Sequence, residues 1–329
     1  MNDISSKIKA MPKIDLHCHL DGSLSTEFVS NAVSCGCSQD ELLSLMQAPA
    51  DCASLTDYLT CFDTPIKALQ SAENITSAVL DVLSQAASEN VTYIELRFAP
   101  SFSVHDGLSY SDVCEAAIRG CKLGLERFGI YSNIILCAMR HLDLDTNLKT
   151  LECVRTYLGN GICALDLAGD ESMFPNEGFT GLFKRARQLD VPFTIHSGEC
   201  GSAENVRLAL EFGARRVGHG IALAKDAALM AECQKLGTGL ELCPTSNFQT
   251  HAVEDRQNYP LKRFLSSNLL ATVNTDNRTV SGTNMTNELL LAYNNLGIDY
   301  DDLHQIYKNS VEISFADDET KNILLSKWQ

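Results

Sequence analysis

Four short stretches carry side chains whose types and spacing could do chemistry. "IDLHCHLDG" (14–22) sets His17 and His19 on either side of Cys18, with Asp15 and Asp21 flanking them. "VPFTIHSGE" (191–199) has His196 with Glu199 three residues later, and "RVGHGI" (216–221) holds His219 between two glycines. "ATVNTDN" (271–277) ends on Asp276 and Asn277. Imidazole nitrogens and a carboxylate oxygen form a donor set for a divalent ion, and neutral imidazole suits zinc, and also iron or cobalt. Histidines at i and i+2 leave a strand on one side, so one ion can meet both His17 and His19. Zinc–nitrogen bonds of about 2.0–2.1 Å require His17, His19, His196 and Asp276 to converge tightly. An ion with an open position lowers the pKa of water from about 15.7 to about 7, which supplies a nucleophile. Glu199, beside His196, is placed to handle protons.

Each residue also has a plainer reading. The first stretch could be an edge strand with a polar face. His196 could be a core histidine bonded to a carbonyl, and Asp276 a turn residue. Glu199 could be a solvated turn acid or a helix cap, although Ser202 is the better cap. Together, however, four of the eight histidines fall at the ends of predicted strands. Cys18, alternating with the histidines, should point away from them.

Eight strand-like runs could position these groups: Lys13–Leu20, Val91–Pro100, Tyr131–Arg140, Ile162–Asp170, Val191–Glu199, Arg216–Ile221, Thr238–Asn247 and Ala271–Arg278. Amphipathic segments such as Ser109–Arg127, Ala203–Phe212, Lys225–Leu236 and Asn284–Leu296 lie between or after them. Alternating strands and helices predict a parallel α/β sheet, and eight strands close a (β/α)8 barrel. Ile14, Leu16, Cys18 and Leu20 then face the helix ring, and Asp15, His17 and His19 face the axis, where branched aliphatic residues are usual. Barrel enzymes keep their active sites at the C-terminal strand ends, where these groups fall. The section 25–90 predicts several short helices after the first strand, more than one crossover needs, and reads as a lid insertion. The chain is read as one domain, 1–329, with extra helices at its C-terminal end.

The 329 residues are 45% hydrophobic with a formal net charge of −16. That apolar content suffices for a real core, and nucleic acid and anionic membranes are disfavoured as partners. The 13 cysteines include no C-x-x-C pair, and "MNDISSKIKAMPK" has no signal-like apolar stretch. Free thiols without an export signal predict a reducing cytoplasm.

In order, "MPKIDLHCHLDGSL", "YIELRFAP", "ALDLAGDE", "HSGE", "RVGHGI", "LCPTSN" and "NTDN" resemble the adenosine deaminases, particularly their short bacterial form, from about Met11 to past Glu288. The resemblance implies a barrel with one zinc ion per chain on His17, His19, His196 and Asp276. It implies hydrolytic deamination of adenosine, and of 2′-deoxyadenosine, to inosine or deoxyinosine plus ammonia. Glu199 matches the residue that protonates purine N1. His219 matches the histidine that orients the attacking water, and Asp276 would also accept a proton from it. His19 and Asp21 match positions near the ribose, with Asp21 accepting from the 5′-hydroxyl; a turn acid is the alternative for Asp21. Gly169 matches the glycine whose backbone N–H meets purine N3. The family often has a second aspartate where this chain has Asn277, whose NH2 can donate to purine N7 without a shifted pKa.

Tyr58, Leu59 and Phe62 fall in the lid, where ordinary helix packing is the expectation; His141 is assigned no chemistry. Among rival readings, a deaminase of adenine, of a methylthio-nucleoside or of a futalosine-type compound is the nearest. A dinuclear amidohydrolase would need a bridging lysine that "ALDLAGDE" lacks, and the flipped-base deaminases need a P-C-x-x-C signature that is absent. A binding protein without catalysis would have lost ligands or Glu199, and none is missing.

Overall fold

In the computed structural model, which describes residues 2–328 except 34–35, 50–51, 53–54, 106 and 254, the eight runs form eight strands. They are β1 (Lys13–His19), β2 (Val91–Phe98), β3 (Tyr131–Met139), β4 (Ile162–Ala168), β5 (Thr194–Ser197), β6 (Arg216–His219), β7 (Gly239–Leu242) and β8 (Ala271–Val273). All neighbours pair parallel, in the orders β1-β2-β3-β4 and β5-β6-β7-β8. Parallel bridges between Leu165 and Phe193 and between Cys18 and Asp276 join the two halves and close the ring. This is a (β/α)8 barrel. Five helices lie between β1 and β2, from Thr26–Ala32 to Ala72–Ser88, and Met285–Asn295, Tyr300–Ile313 and Asp318–Lys327 follow β8.

The helices between strands begin and end where local chemistry directs. Ser109 and Asp112 form a capping box on Tyr110–Phe128, and left-handed Gly129 ends that helix. Ser202 caps Ala203–Phe212 by accepting from the Asn205 amide, as its position suggested, so Glu199 is not needed in that role.

Every strand ends one or more residues before its predicted run does, and three are shorter by five residues or more. The run 191–199 contributes strand only over Thr194–Ser197. The run 238–247 stops at Leu242, because Pro244 cannot donate to a ladder and instead begins the helix Pro244–Gln249. The run 271–278 stops at Val273, because the Asn274 side chain takes over: its Oδ1 accepts from Leu16 N (2.9 Å) and its Nδ2 donates to Leu242 O (3.2 Å). One amide thus stitches β1 to β7 across the end of β8. Asp15 does similar work, accepting from the Thr275 hydroxyl (2.6 Å), so it fixes the loop before Asp276 rather than facing an ion.

Charged groups fill the barrel core where branched aliphatic residues are usual. Glu95, Arg97, Asp166, Arg216 and Glu241 are all fully buried. Arg97 reaches Asp166 and Glu241, each at 3.0 Å, and Arg216 reaches Glu241 and Glu95, each at 2.5 Å. Burial opposes ionisation of Glu241, but Arg97 and Arg216 outweigh it and hold the carboxyl well below its ordinary range.

Glu288, on Met285–Asn295, is a buried acid outside this network. It accepts from the Thr245 amide (3.1 Å) and the Thr283 hydroxyl (2.6 Å), and burial pushes its pKa up to about 7. A raised folded-state pKa gives stability that is full below the ordinary value of 4.5 and lost as pH rises through about 7. The loss amounts to at most about 3 kcal/mol. Glu288→Gln, which resembles the protonated acid, is expected to flatten this part of the urea-unfolding profile between pH 4.5 and 8. Equal slopes for the two proteins would contradict it.

Candidate active site

Three histidine nitrogens and one carboxylate oxygen meet where β1, β5 and β8 end. His17 Nδ1 lies 2.8 Å from Glu241 Oε2. That carboxylate is ionised, so the proton sits on Nδ1 and the lone pair on Nε2. His17 Nε2 is buried, has no hydrogen-bond partner, and lies 3.4 Å from Asp276 Oδ1. His196 is held the same way, with Nδ1 3.0 Å from Asp166 Oδ2. Its Nε2 is 3.2 Å from His19 Nε2, which in turn is 3.5 Å from Asp276 Oδ1. Four donors bound tetrahedrally at about 2.0–2.1 Å would stand about 3.3 Å apart, and the three donor separations above are of that size. A carboxylate orienting a ligand histidine through its other nitrogen is the usual outer support of a metal.

By distance alone His219 stands with His17, His196 and Asp276, each offering an atom within 4.8 Å of the others, in a set that leaves out the predicted His19. Hydrogen bonding separates His219. Asn247 Oδ1 accepts from the Tyr259 hydroxyl (2.9 Å), and Asn247 Nδ2 donates to His219 Nδ1 (3.0 Å). The proton of neutral His219 is then on Nε2, 3.6 Å from Glu199 Oε2, and that nitrogen is a donor rather than a ligand. Burial drives the His219 pKa well below its ordinary value, which keeps the ring neutral.

Charge balance also fits a divalent cation. Arg97 and Arg216 pair with Glu95, Asp166 and Glu241, and Asp276 adds a fourth carboxylate beside His17 and His19: two cations against four carboxylates. A 2+ ion on the Asp276 side would neutralise the difference.

Two of the predicted residues hold strained backbone. His219 and Asp276 both have φ of +60°, the left-handed region, which costs about 1–3 kcal/mol each. The surroundings hold them there: Asp276 N donates to His17 O (2.8 Å), and His19 N donates to Asp276 O (2.7 Å). Gly218 leaves room for the ligands, since an added Cβ would lie 3.1 Å from His17 Cε1.

A cavity of about 420 Å³ opens above this cluster and is lined by His19, Asp21, Gly169, His196, Glu199, His219, Asp276 and Asn277. Only His17 of the predicted set lies beneath it. Burial, helped by Asp276 and Glu171, raises the Glu199 pKa well above its ordinary range, which favours the protonated carboxyl. Burial likewise pushes Asp21 up to about 7, and its Oδ1 is buried without a partner. Gly169 sits in a backbone conformation that L side chains rarely adopt. An added Cβ would find its nearest neighbour at 3.6 Å, so space is available, but φ is +105°.

Asn277 is partly engaged. Its Nδ2 donates to the Tyr58 hydroxyl (2.9 Å), which is 2.7 Å from Ser281 Oγ, and one N–H remains. Its Oδ1 is buried without a partner against Gly22, where an added Cβ would approach to 1.8 Å. Tyr58, Leu59 and Phe62 line the cavity rather than serving helix packing alone, and His141 lines it while stacked on Phe102 (5.9 Å, 16°). Cys18 points into the core, bonded to Ser23 Oγ.

Sequence reasoning missed Glu241, Asp166, Arg97, Glu171 and Asn247. The first three sit in "GLELC", "ALDLA" and "IELRF", where a charge interrupts an apolar strand with the same alternation that exposed the histidines.

A family model described as adenosine deaminase matches residues 12–329. The chain belongs to the adenosine deaminase family. It is 40% identical to an adenosine deaminase of Enterococcus faecalis over 98% of this chain and 97% of that one. A Haemophilus ducreyi adenosine deaminase is 39% identical, over 96% and 95% of the two chains. Among solved structures, an amidohydrolase of Burkholderia ambifaria with bound Zn superposes with a TM-score of 0.90 at 22% identity, covering 98% of this chain and 91% of that one. An adenine deaminase of Arthrobacter aurescens gives 0.87 at 23%, covering 97% and 98%. An Arabidopsis N6-mAMP deaminase gives 0.85 at 24%, covering 98% and 99%.

The hydrogen bonding leaves His17 and His196 able to bind a metal through Nε2 and His219 able to donate, and metal content tests that difference. His17→Ala and His196→Ala are expected to purify with less than about a tenth of the metal, in line with the 10–100-fold losses that even outer partners cause. His219→Asn is expected to retain it. Metal loss from His219→Asn equal to that from His17→Ala would contradict the assignment.

Proposed function

We propose that this chain is a mononuclear zinc enzyme that hydrolyses adenosine and 2′-deoxyadenosine to inosine and deoxyinosine, releasing ammonia, in purine salvage. The observation that carries this reading is a buried Glu199 whose carboxyl lies 3.6 Å from His219 Nε2 in the wall of a cavity of about 420 Å³, beside His19, His196 and Asp276. Two relatives bearing the name adenosine deaminase match it over almost their whole length.

His17, His19, His196 and Asp276 would hold one zinc ion, the metal bound in the Burkholderia structure. Zinc at such a site makes hydroxide available near neutrality. The chain's own residues do the rest. Glu199 gives its proton to purine N1, which drains electron density from C6 and opens that carbon to attack. His219, donating from Nε2, orients the attacking water and stabilises the negative charge that develops on its oxygen. Asp276 accepts the water's proton and returns it to the 6-amino group, which leaves as ammonia as the C6–N bond breaks, while the new hydroxyl's proton goes back to Glu199. Asp21, with its unpaired Oδ1, accepts from the 5′-hydroxyl beside His19, and the Gly169 N–H meets N3. The remaining Asn277 N–H donates to N7. The segment 25–90 is the lid, with Tyr58, Leu59 and Phe62 excluding water from the sugar.

The cavity walls favour a nucleoside over a nucleotide. Asp21, Asp63 and Asp170 line it, and its described lining contains neither lysine nor arginine. A 5′-phosphate would therefore enter an uncompensated negative field. The Arabidopsis relatives, by contrast, include complexes with IMP and GMP. The chain is assigned to the cytoplasm without nucleic-acid or membrane partners, and no described helix is long and apolar enough to cross a bilayer.

The ultraviolet change from adenosine to inosine tests the reading. Adenosine and deoxyadenosine should turn over, adenine and AMP far more slowly, and Glu199→Gln should lose about 10²–10⁴-fold in kcat with its metal retained. In the same assay 7-deaza-adenosine should lose about 5–10-fold in kcat/KM, the worth of one hydrogen bond. Preference for AMP, or full activity in Glu199→Gln, would contradict the proposal; indifference to N7 removal would contradict the Asn277 contact.

A further inference from the structure

Glu199 stands on a stretch that regular structure does not hold. β5 ends at Ser197, the next helix begins at Ala203, and the turn between has glycines at φ +73° (Gly198) and +84° (Gly201). Backbone of this kind would ordinarily let a side chain wander. Yet one side chain grips both of its flanks. The Gly198 amide donates to Glu171 Oε2 (2.8 Å), and the Cys200 amide donates to Glu171 Oε1. These N–H groups belong to the residues before and after Glu199, in the 197–198 and 199–200 peptides, so one carboxylate grips the turn on both sides of it.

Glu171 is itself held. It is 2% exposed, and Asn205 Nδ2 donates to its Oε2 (3.0 Å). Asn205 Oδ1 accepts from the Asn176 amide (3.0 Å), and Asn176 Oδ1 accepts from Arg140 Nη2 (2.7 Å). The same Arg140 nitrogen donates to the carbonyl of His196 (2.6 Å). A buried polar chain thus fixes the turn that carries Glu199 relative to the strand that carries His196.

We infer that Glu171 is a positioning residue for Glu199, setting the direction from which its carboxyl meets the purine. The inference rests on the reading of Glu199 as proton donor. A carboxylate that only satisfied two buried amides would support the fold as a whole, and its loss would lower stability, metal retention and substrate affinity together. A positioning role acts on proton delivery, and misplacement by about 1 Å can cost 10²-fold in rate.

A double-mutant cycle on the metal-loaded enzyme separates the two, with kcat, KM for adenosine and metal content measured for wild type, Glu171→Gln, Glu199→Gln and the double variant. The carboxamide that Glu171→Gln introduces keeps one acceptor oxygen but turns an NH2 toward one of the two backbone N–H groups. Glu171→Gln is expected to lower kcat at least about 10-fold, with KM within about threefold and metal retained. In the Glu199→Gln background the same change should leave kcat unaltered, because nothing is left to position. Should Glu171→Gln not fold, Glu171→Asp, one methylene shorter with the charge kept, is expected to give the same pattern. Losses that multiply in the double variant, a parallel fall of metal content and affinity, or wild-type kcat in Glu171→Asp would overturn the inference. Wild-type kcat in Glu199→Gln alone would instead overturn the reading of Glu199.

Discussion

Ionised side chains buried in a barrel core cost several kcal/mol each in lost hydration, and mutual attraction offsets this only with good geometry and balanced charge. Here Glu241 accepts from His17, Arg97, Thr194 and Arg216 at once, and Arg97 bridges Glu241 to Asp166, the partner of His196. The carboxylates that neutralise the arginines are therefore the same ones that place the protons of the two histidines. Removing that layer would free both the tautomers and the ring orientations. The site above depends on it: open Nε2 lone pairs, their spacing and the negative excess that suits a divalent ion all follow from one buried network.

The barrel makes this network possible because closure brings distant segments onto one axis. Arg97 and Glu241 are 144 residues apart, and His19 and His196 are 177 apart. Closure also explains why Asp276 can sit at positive φ. At the C-terminal rim the ladders have ended, and the Asp15–Thr275 and Asn274–Leu16 bonds secure a backbone that no regular element would hold.

Much of this was legible in the sequence, for a physical reason. Alternation with period two marks strands, and a polar residue at an inward position is costly enough to be conspicuous, so His17, His19, His196 and the barrel itself could be read directly. The strand ends after Leu242 and Val273 could not, because Pro244 and the Asn274 side chain set them rather than periodicity. Glu171 and Asn247 also escaped: an acid in a turn and an asparagine after a proline have ordinary local explanations, and their partners lie far along the chain. Asn277 was legible as a donor, but not its bond to Tyr58, which only the folded insertion provides.

On the proposed reading, the buried charge layer prepares one site for a divalent ion among His17, His19, His196 and Asp276. Anomalous diffraction from crystals of the purified protein, measured on both sides of the zinc absorption edge, tests it most directly. One peak per chain is expected, about 2.0–2.1 Å from the Nε2 atoms of His17, His19 and His196 and bonded to Asp276, with His219 outside bonding distance. An ion bonded to His219 in place of His19, two ions, or a metal-free site in fully active protein would contradict the account.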